Sequence, residues 1–370
     1  MFKIPSNVSF VMETLINNGH KAYLVGGCVR DMLMGKTPTD FDITTSAFPK
    51  EITALFEKTI PTGIKHGTVT VIVDSVPIEV TTFRTENGYS DSRHPDGVNF
   101  VRNLPEDLCR RDFTVNAIAY NKCEGLIDLY GGIADIENKI LRTVGDAKTR
   151  FSEDALRILR LFRFASTLDF SIEQNTLTSA LECANLLETI SCERIFAELK
   201  KAVMGDNFKV LEALILSGGL SFLNLTKTPD FEKINGQTNP LIRLYLSIST
   251  DTLMLLRPSN KEREFFCTFD YLSLLPTPKN ERDIKEMLNT CDSDILKAFF
   301  EYKGLDITLI DKVLQSHEPY KISHLKIDGK TLLELGFKGE KIGEILEYLR
   351  KTVIKEPQKN TKENLLKEIP

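Results

Sequence analysis

KAYLVGGCVRDMLMGKTPTDFDITT, residues 21–45, is the stretch whose reading decides the fold. Ala22 to Val25 form a short apolar run with strand character. The Gly26-Gly27 pair breaks it, and Val29 to Met34 carry a helical pattern that Gly35 ends. Asp40-Phe41-Asp42-Ile43 reads as a second strand, spanning 40–44. Alternation along a strand puts Asp40 and Asp42 on one face and Phe41 and Ile43 on the other. Two carboxylates that close repel unless a cation lies between them, and oxygen pairs of this kind suit Mg2+. Asp40 and Asp42 are therefore the candidate metal ligands and catalytic acids. Glycines allow backbone to approach an anion, and helix-opening N–H groups suit phosphate, which makes Gly26, Gly27 and Arg30 candidate nucleotide-binding residues. A GG turn and a D-x-D string each occur separately as solvated turns. Together, in this order, they point to nucleotidyl chemistry.

Outward from this stretch, strand patterns recur at 68–73, 77–83, 114–120 and 126–129, after a helical segment over residues 1–20. Beyond Thr149 the 3.6-residue period takes over, from 153–166 to 339–354. The fold class expected is an α/β head followed by an all-α neck, body and tail. Breaks near Gly145, Gly205-Asp206 and residues 300–306 divide the chain into 1–145, 146–205, 206–300 and 301–370. The polar stretch 226–238 reads as a loop.

Composition excludes several classes. At 42% hydrophobic and 27% charged residues, the 370-residue chain is globular in character, with no apolar run long enough to span a bilayer. Seven cysteines lie scattered without a C-x-x-C pair, which argues for a reducing compartment, the cytoplasm, and against structural zinc. A net charge of −5 argues against non-specific nucleic-acid binding but permits a shaped groove for one folded RNA.

Three further stretches carry chemistry. In VPIEVTTFR (76–84), Ile78, Val80 and Thr82 share one face, while Glu79, Thr81 and Phe83 share the other. CRRDFTVNAIAYN (109–121) leads two arginines and an acid into a strand expected over 113–120. Arg110-Arg111-Asp112 is either a surface ion pair or a nucleotide clamp in which the Arg111 fork meets triphosphate or ribose oxygens. Asp112 would then orient an arginine or accept from a sugar hydroxyl. SEDALRILRLFRFA (152–165) reads as one helix with Ser152 as N-cap. Glu153 and Asp154 either stabilise its first turn or, with Arg157, Arg160 and Arg163, form a narrow polar stripe on a buried helix. Such a stripe suits a cleft. Cytosine and adenine both offer an amino donor beside a ring-nitrogen acceptor. Asp154 matches the first and Arg157 the second, whereas uracil and guanine reverse the pattern. Glu153, four residues before Arg157, would hold it, and Arg160 and Arg163 would reach phosphates or an RNA 3′ end.

These stretches, with IDLYGGIADIENKILRTVG (127–145) and SCERIFAEL (191–199), resemble in order the motifs of the class II tRNA nucleotidyltransferase and bacterial poly(A) polymerase family. The resemblance covers the N-terminal 200 residues strongly and 322–366 more loosely. It implies a polymerase-β-like nucleotidyltransferase head and two-metal addition of C, C and A to the tRNA 3′ end from CTP and ATP. It also implies tRNA contact through acceptor stem and T arm. Glu79 falls where the family supports its metal pair. The polar run 84–108 matches the flexible loop of enzymes that add both C and A, with Arg84, Arg93 and Arg102 as braces or as solvated charges. Glu193, Arg194 and Glu198 are expected to brace the template helix, and Asn116 to be structural. A poly(A) polymerase, an A-adding half-enzyme and a non-catalytic RNA-binding paralogue are the rivals. The paralogue is disfavoured because all three metal-site carboxylates are present.

Overall fold

The structure, a computed structural model, describes residues 2–87, 97–225, 229 and 231–370. It divides into two compact units, Met1–Arg257 and Pro258–Pro370. The boundary falls within the 206–300 segment.

The first unit opens with helix α1 (Ser6–Asn17), whose Val8, Val11, Met12 and Leu15 recur at helical spacing and are buried. Strand β1 (Ala22–Val25) is buried throughout, and helix α2 (Gly27–Leu33) begins at the second glycine, two residues earlier than its apolar period suggests. Then come β2 (Asp42–Thr45), α3 (Pro49–Leu55), β3 (Thr59–Gly63), β4 (Thr68–Val73) and β5 (Val76–Thr82). After them come β6 (Arg84–Asn87), β7 (Gly97–Phe100), α4 (Leu104–Cys109), β8 (Ile118–Asn121), β9 (Gly125–Asp128) and α5 (Gly132–Glu137). Seven strands form one sheet in the order β3-β4-β5-β2-β1-β8-β9, in which β2 and β5 run parallel and the other neighbours antiparallel.

Three expectations are corrected here. Asp40 precedes β2 instead of lying in it, since the strand starts at Asp42. Thr114–Asn116 is a 3-10 turn, so the RRD segment enters no strand until Ile118. The described part of the 84–108 run is a hairpin of β6 and β7 followed by α4, where a loop was expected. Arg93 lies outside the described residues. Arg102 stacks 4.5 Å from the Phe48 ring centroid and pairs with Glu51, and Arg84 Nη1 donates to the His66 carbonyl.

The helical part of this unit comprises α6 (Ala147–Glu153), α7 (Leu156–Leu168), α8 (Gln174–Glu182) and α9 (Cys192–Ala202), then α10 (Leu211–Leu216), α11 (Phe231–Asn235), α12 (Pro240–Ser247) and α13 (Thr250–Leu255). Helix α11 thus occupies part of the 226–238 stretch read as a loop. The one helix expected over 152–165 is two. Ser152 and Glu153 finish α6, Asp154 and Ala155 make the bend, and α7 starts at Leu156. Ser152 is no N-cap: its hydroxyl donates to the Lys148 carbonyl at 2.8 Å, and Asp146 caps α6 by accepting from Thr149 N–H. Helix α7 is buried at nine of its positions and packs against α9; a Cβ on Gly205 would fall 2.2 Å from Ser166 Oγ.

The second unit consists of helices that follow the sequence periods closely, among them Asn260–Leu274, Glu281–Thr290, Ser293–Lys303 and Glu340–Lys355. One core joins Ile327, Leu332, Ile345, Leu349, Val353 and Leu365. Among the described residues, no helix is long and apolar enough to cross a membrane.

Candidate active site

The site grows from sheet register. Asp42 is the first residue of β2 and lies directly beside Glu79 of the parallel strand β5, with Val25 of β1 on its other flank. Period-two alternation turns Glu79 to the same open face, while Ile78, Val80 and Thr82 go inward. Asp40, Asp42 and Glu79 are all exposed. The Asp42 carboxyl is nevertheless pushed above its ordinary range, first by lost hydration on its protein flanks, then by the Glu79 charge; Arg111 pulls the other way and Asp40 adds a smaller upward push. The three acids therefore feel one another. Among the described residues, no group of three or more His, Cys, Asp or Glu converges closely enough to hold a metal ion unaided.

The glycine turn closes the site. Gly26 has φ 78°, a left-handed conformation that costs a side-chain-bearing residue, and it precedes α2. A Cβ there would sit 3.5 Å from Arg111 Nη1 and 3.9 Å from Asp42 Oδ2. Backbone, carboxylate and guanidinium thus meet at one corner. Gly27 faces Arg30, with 3.5 Å from its Cβ position to Arg30 Nη2.

Behind that corner runs a buried polar network. Arg30 Nη1 donates to Asn116 Oδ1 at 2.7 Å, and its Nη2 pairs with Asp31 at 2.7 Å. Asn116 Nδ2 donates to Asp112 Oδ1 at 3.2 Å, and Arg160 donates to Asp112 Oδ2 through Nε at 2.9 Å and Nη2 at 2.6 Å. Desolvation opposes ionisation of Asp112, but Arg160 outweighs it and holds the carboxyl down at about 2. Arg163 pairs with Glu198 at 2.6 Å, and its guanidinium lies 3.9 Å from the Phe164 ring centroid. In this structure Arg160 and Arg163 therefore bind protein carboxylates, not open space.

Around the α6–α7 bend, Glu153 Oε2 accepts from Arg157 Nη1 at 2.5 Å, as the four-residue spacing suggests, and also pairs with Arg150 at 2.9 Å. Arg157 is buried: Nη1 also donates to the Arg150 carbonyl and Nη2 to the Arg110 carbonyl, both at 3.0 Å. Asp154 is only partly buried; Oδ1 accepts from Leu156 N–H at 3.1 Å and Oδ2 from Arg194 at 3.3 Å. Asp154 and Arg157 are neighbours across a bend, not members of one helical row. Arg194 and Glu198 do brace α7, whereas Glu193 pairs with Arg257.

Sequence reasoning missed Asp107. It is fully buried and accepts from Arg110, Arg111 and Thr44. Its three- and four-residue spacing to the arginine pair was a readable signal.

The chain is similar to proteins of one known family. Residues 22–142 match the Poly A polymerase head domain, and residues 169–224 match the domain described as a probable RNA and SrmB-binding site of polymerase A. The CCA-adding enzyme of Streptococcus gordonii is 38% identical, with 93% of this chain and 92% of the relative aligned. That of Lactococcus lactis subsp. lactis is 37% identical, over 97% and 95%. The crystal structure of the Bacillus stearothermophilus CCA-adding enzyme in complex with CTP superposes with a TM-score of 0.79 at 31% identity, covering 96% of this chain and 94% of that one. An α/β nucleotidyltransferase head carrying helical domains is the class defined. Within it, the chain belongs to the CCA-adding enzyme family.

Proposed function

We infer that this chain is a tRNA nucleotidyltransferase that adds C, C and A in turn to the tRNA 3′ end from CTP and ATP. It needs no nucleic-acid template and releases pyrophosphate. The observation that carries this is the register pair of Asp42 and Glu79, with Asp40 beside it and Arg111 at the glycine turn, in a chain of this family.

Asp40 and Asp42 hold a divalent cation, and Mg2+ is the assignment we favour. The repulsion that raises the Asp42 carboxyl is what a cation would neutralise, which supports the fit. Such an ion supplies Lewis-acid activation of the ribose 3′-hydroxyl and charge stabilisation at the triphosphate. The chain's own groups do the rest. Glu79 fixes the electrostatics of the acid pair. Arg111 and the Gly26-Gly27 backbone take triphosphate oxygens. Arg30, Asp112, Arg160 and Arg163 belong to the nucleotide-binding set as one pre-organised wall, because Asn116 and Asp112 tie Arg30 to Arg160 while Glu198 holds Arg163. Asp154 accepts from the amino group shared by cytosine and adenine. Arg157, anchored on Glu153, completes base selection by holding that edge in place, and a direct bond to a ring nitrogen would replace one of its internal ones. An unpaired polar group costs roughly 1–3 kcal/mol, enough to disfavour UTP and GTP.

In functional terms we divide the chain into a catalytic head (1–145), a base-selecting neck (146–205), a body (206–300) and a tail (301–370). The last two would receive tRNA along its acceptor stem and T arm. Free cysteines throughout the described residues support a reducing compartment, the cytoplasm. The test offers the full chain a tRNA transcript lacking CCA with each nucleotide separately and all together. Incorporation of C, C, then A supports the inference. Long A-tails would mean a poly(A) polymerase, and arrest after CC, or addition of A alone, a half-enzyme.

A further inference from the structure

We propose that Asp107 is a positioning residue for nucleotide binding, the buried anchor that aims Arg111 at the triphosphate. This rests on the nucleotide-binding role given to Arg111 above.

Asp107 has no exposed surface, and its two oxygens divide their partners. Oδ1 accepts from Arg110 through Nε at 3.0 Å and Nη2 at 2.7 Å, and from Arg84 N–H at 3.4 Å. Oδ2 accepts from Arg111 Nη2 at 3.0 Å and from Thr44 Oγ1 at 3.2 Å. Thr44 stands two residues beyond Asp42 on β2, so Asp107 packs on the sheet face that carries the acids. Arg111 spans the gap. Its Nη2 is tied to Asp107, while its Nη1 reaches the Gly26–Asp42 corner. Asp107 is the only side-chain hydrogen-bond acceptor that Arg111 has among the described residues, and Arg111 Nε is buried without a partner.

The buried carboxylate holds Arg111 through Nη2, which leaves Nη1 turned to the Gly26–Asp42 corner where a triphosphate would sit. Desolvation opposes ionisation of Asp107, but Arg111 and Arg110 outweigh it and keep it a carboxylate. Without that anchor the long Arg111 side chain regains its rotamers, and each bound nucleotide must order it again.

The test is Asp107→Asn in the full chain, which keeps the shape and removes the charge. Steady-state KM is measured for CTP, ATP and a tRNA transcript lacking CCA, alone and with Arg111→Ala. Expected is a rise of about ten-fold in KM for both nucleotides, in line with loss of a charged hydrogen bond. The tRNA KM should stay unchanged, and the Arg111→Ala background should show no further rise. An unchanged nucleotide KM in folded Asp107→Asn overturns the proposal, as does an equal further rise in the Arg111→Ala background. If Arg111→Ala alone leaves nucleotide KM unchanged, the assignment of Arg111 itself fails, and this role with it. Should Asp107→Asn not fold, Thr44→Val decides. It removes one donor from the same oxygen and should raise nucleotide KM about two- to three-fold, and no rise overturns the proposal.

Discussion

Asp112→Asn is expected to destabilise the protein by about 2–3 kcal/mol at neutral pH, and to do so through charge. The carboxyl is held at about 2 against an ordinary 3.8. At 1.36 kcal/mol per pH unit, that depression contributes roughly 2–3 kcal/mol. The carboxylate form favours the fold, so the contribution is complete above about pH 4 and drains away as pH falls toward 2. About half of it should be gone at pH 3. Arg160 remains about one-third open to water, which limits the penalty of leaving it unpartnered. Urea unfolding of both proteins at pH 7, 5, 4 and 3 gives the assay. The gap between them should hold from pH 7 to 5 and be halved at pH 3. A gap that does not change down to pH 3 would refute the electrostatic reasoning and leave packing or lost hydrogen bonds as the cause.

Asp42→Ala should abolish addition of every nucleotide while tRNA binding, measured by filter retention, survives; lost binding would mean the fold was disturbed. Arg157→Ala strips partners from Glu153 and two carbonyls, so stability should fall by about 1–3 kcal/mol and UTP misincorporation should rise more than the rate with CTP falls. Unchanged discrimination against UTP removes the α6–α7 bend from base selection. Gly26→Ala puts a Cβ into the Arg111–Asp42 corner at positive φ, costing about 1–3 kcal/mol by strain and raising KM for CTP and ATP together. An unaltered KM with normal stability would mean that the turn does not border the nucleotide.

Much of the head was legible because its signals are local. The apolar run 22–25, the glycine pair and the alternation of 76–84 each encode an element within a few residues, and the Asp42–Glu79 pairing follows once the strands are neighbours. The helices after Asn260 were equally plain, since each carries its own amphipathic period. What escaped reading depends on tertiary partners. Nothing in SEDALRILR breaks the helical period; at the bend the Asp154 carboxylate takes Leu156 N–H on one oxygen and the distant Arg194 on the other. Thr114–Asn116 has strand propensity, yet Asn116 is drawn aside to join Arg30 to Asp112. Asp107 stands in a polar run, and its burial comes from contacts with Thr44, Arg110 and Arg111.

The pairing of β2 with β5 has a consequence for how the enzyme comes into being. These strands are adjacent in the sheet but separated in the chain by α3, β3 and β4, so their alignment is a long-range choice. Side chains flip faces with each one-residue slip. A misaligned sheet would turn Glu79 inward and swing Ile78 or Val80 beside Asp42, leaving a molecule that is silent rather than careless. Activity thereby certifies correct assembly: a chain able to extend RNA at all has already put its strands in step.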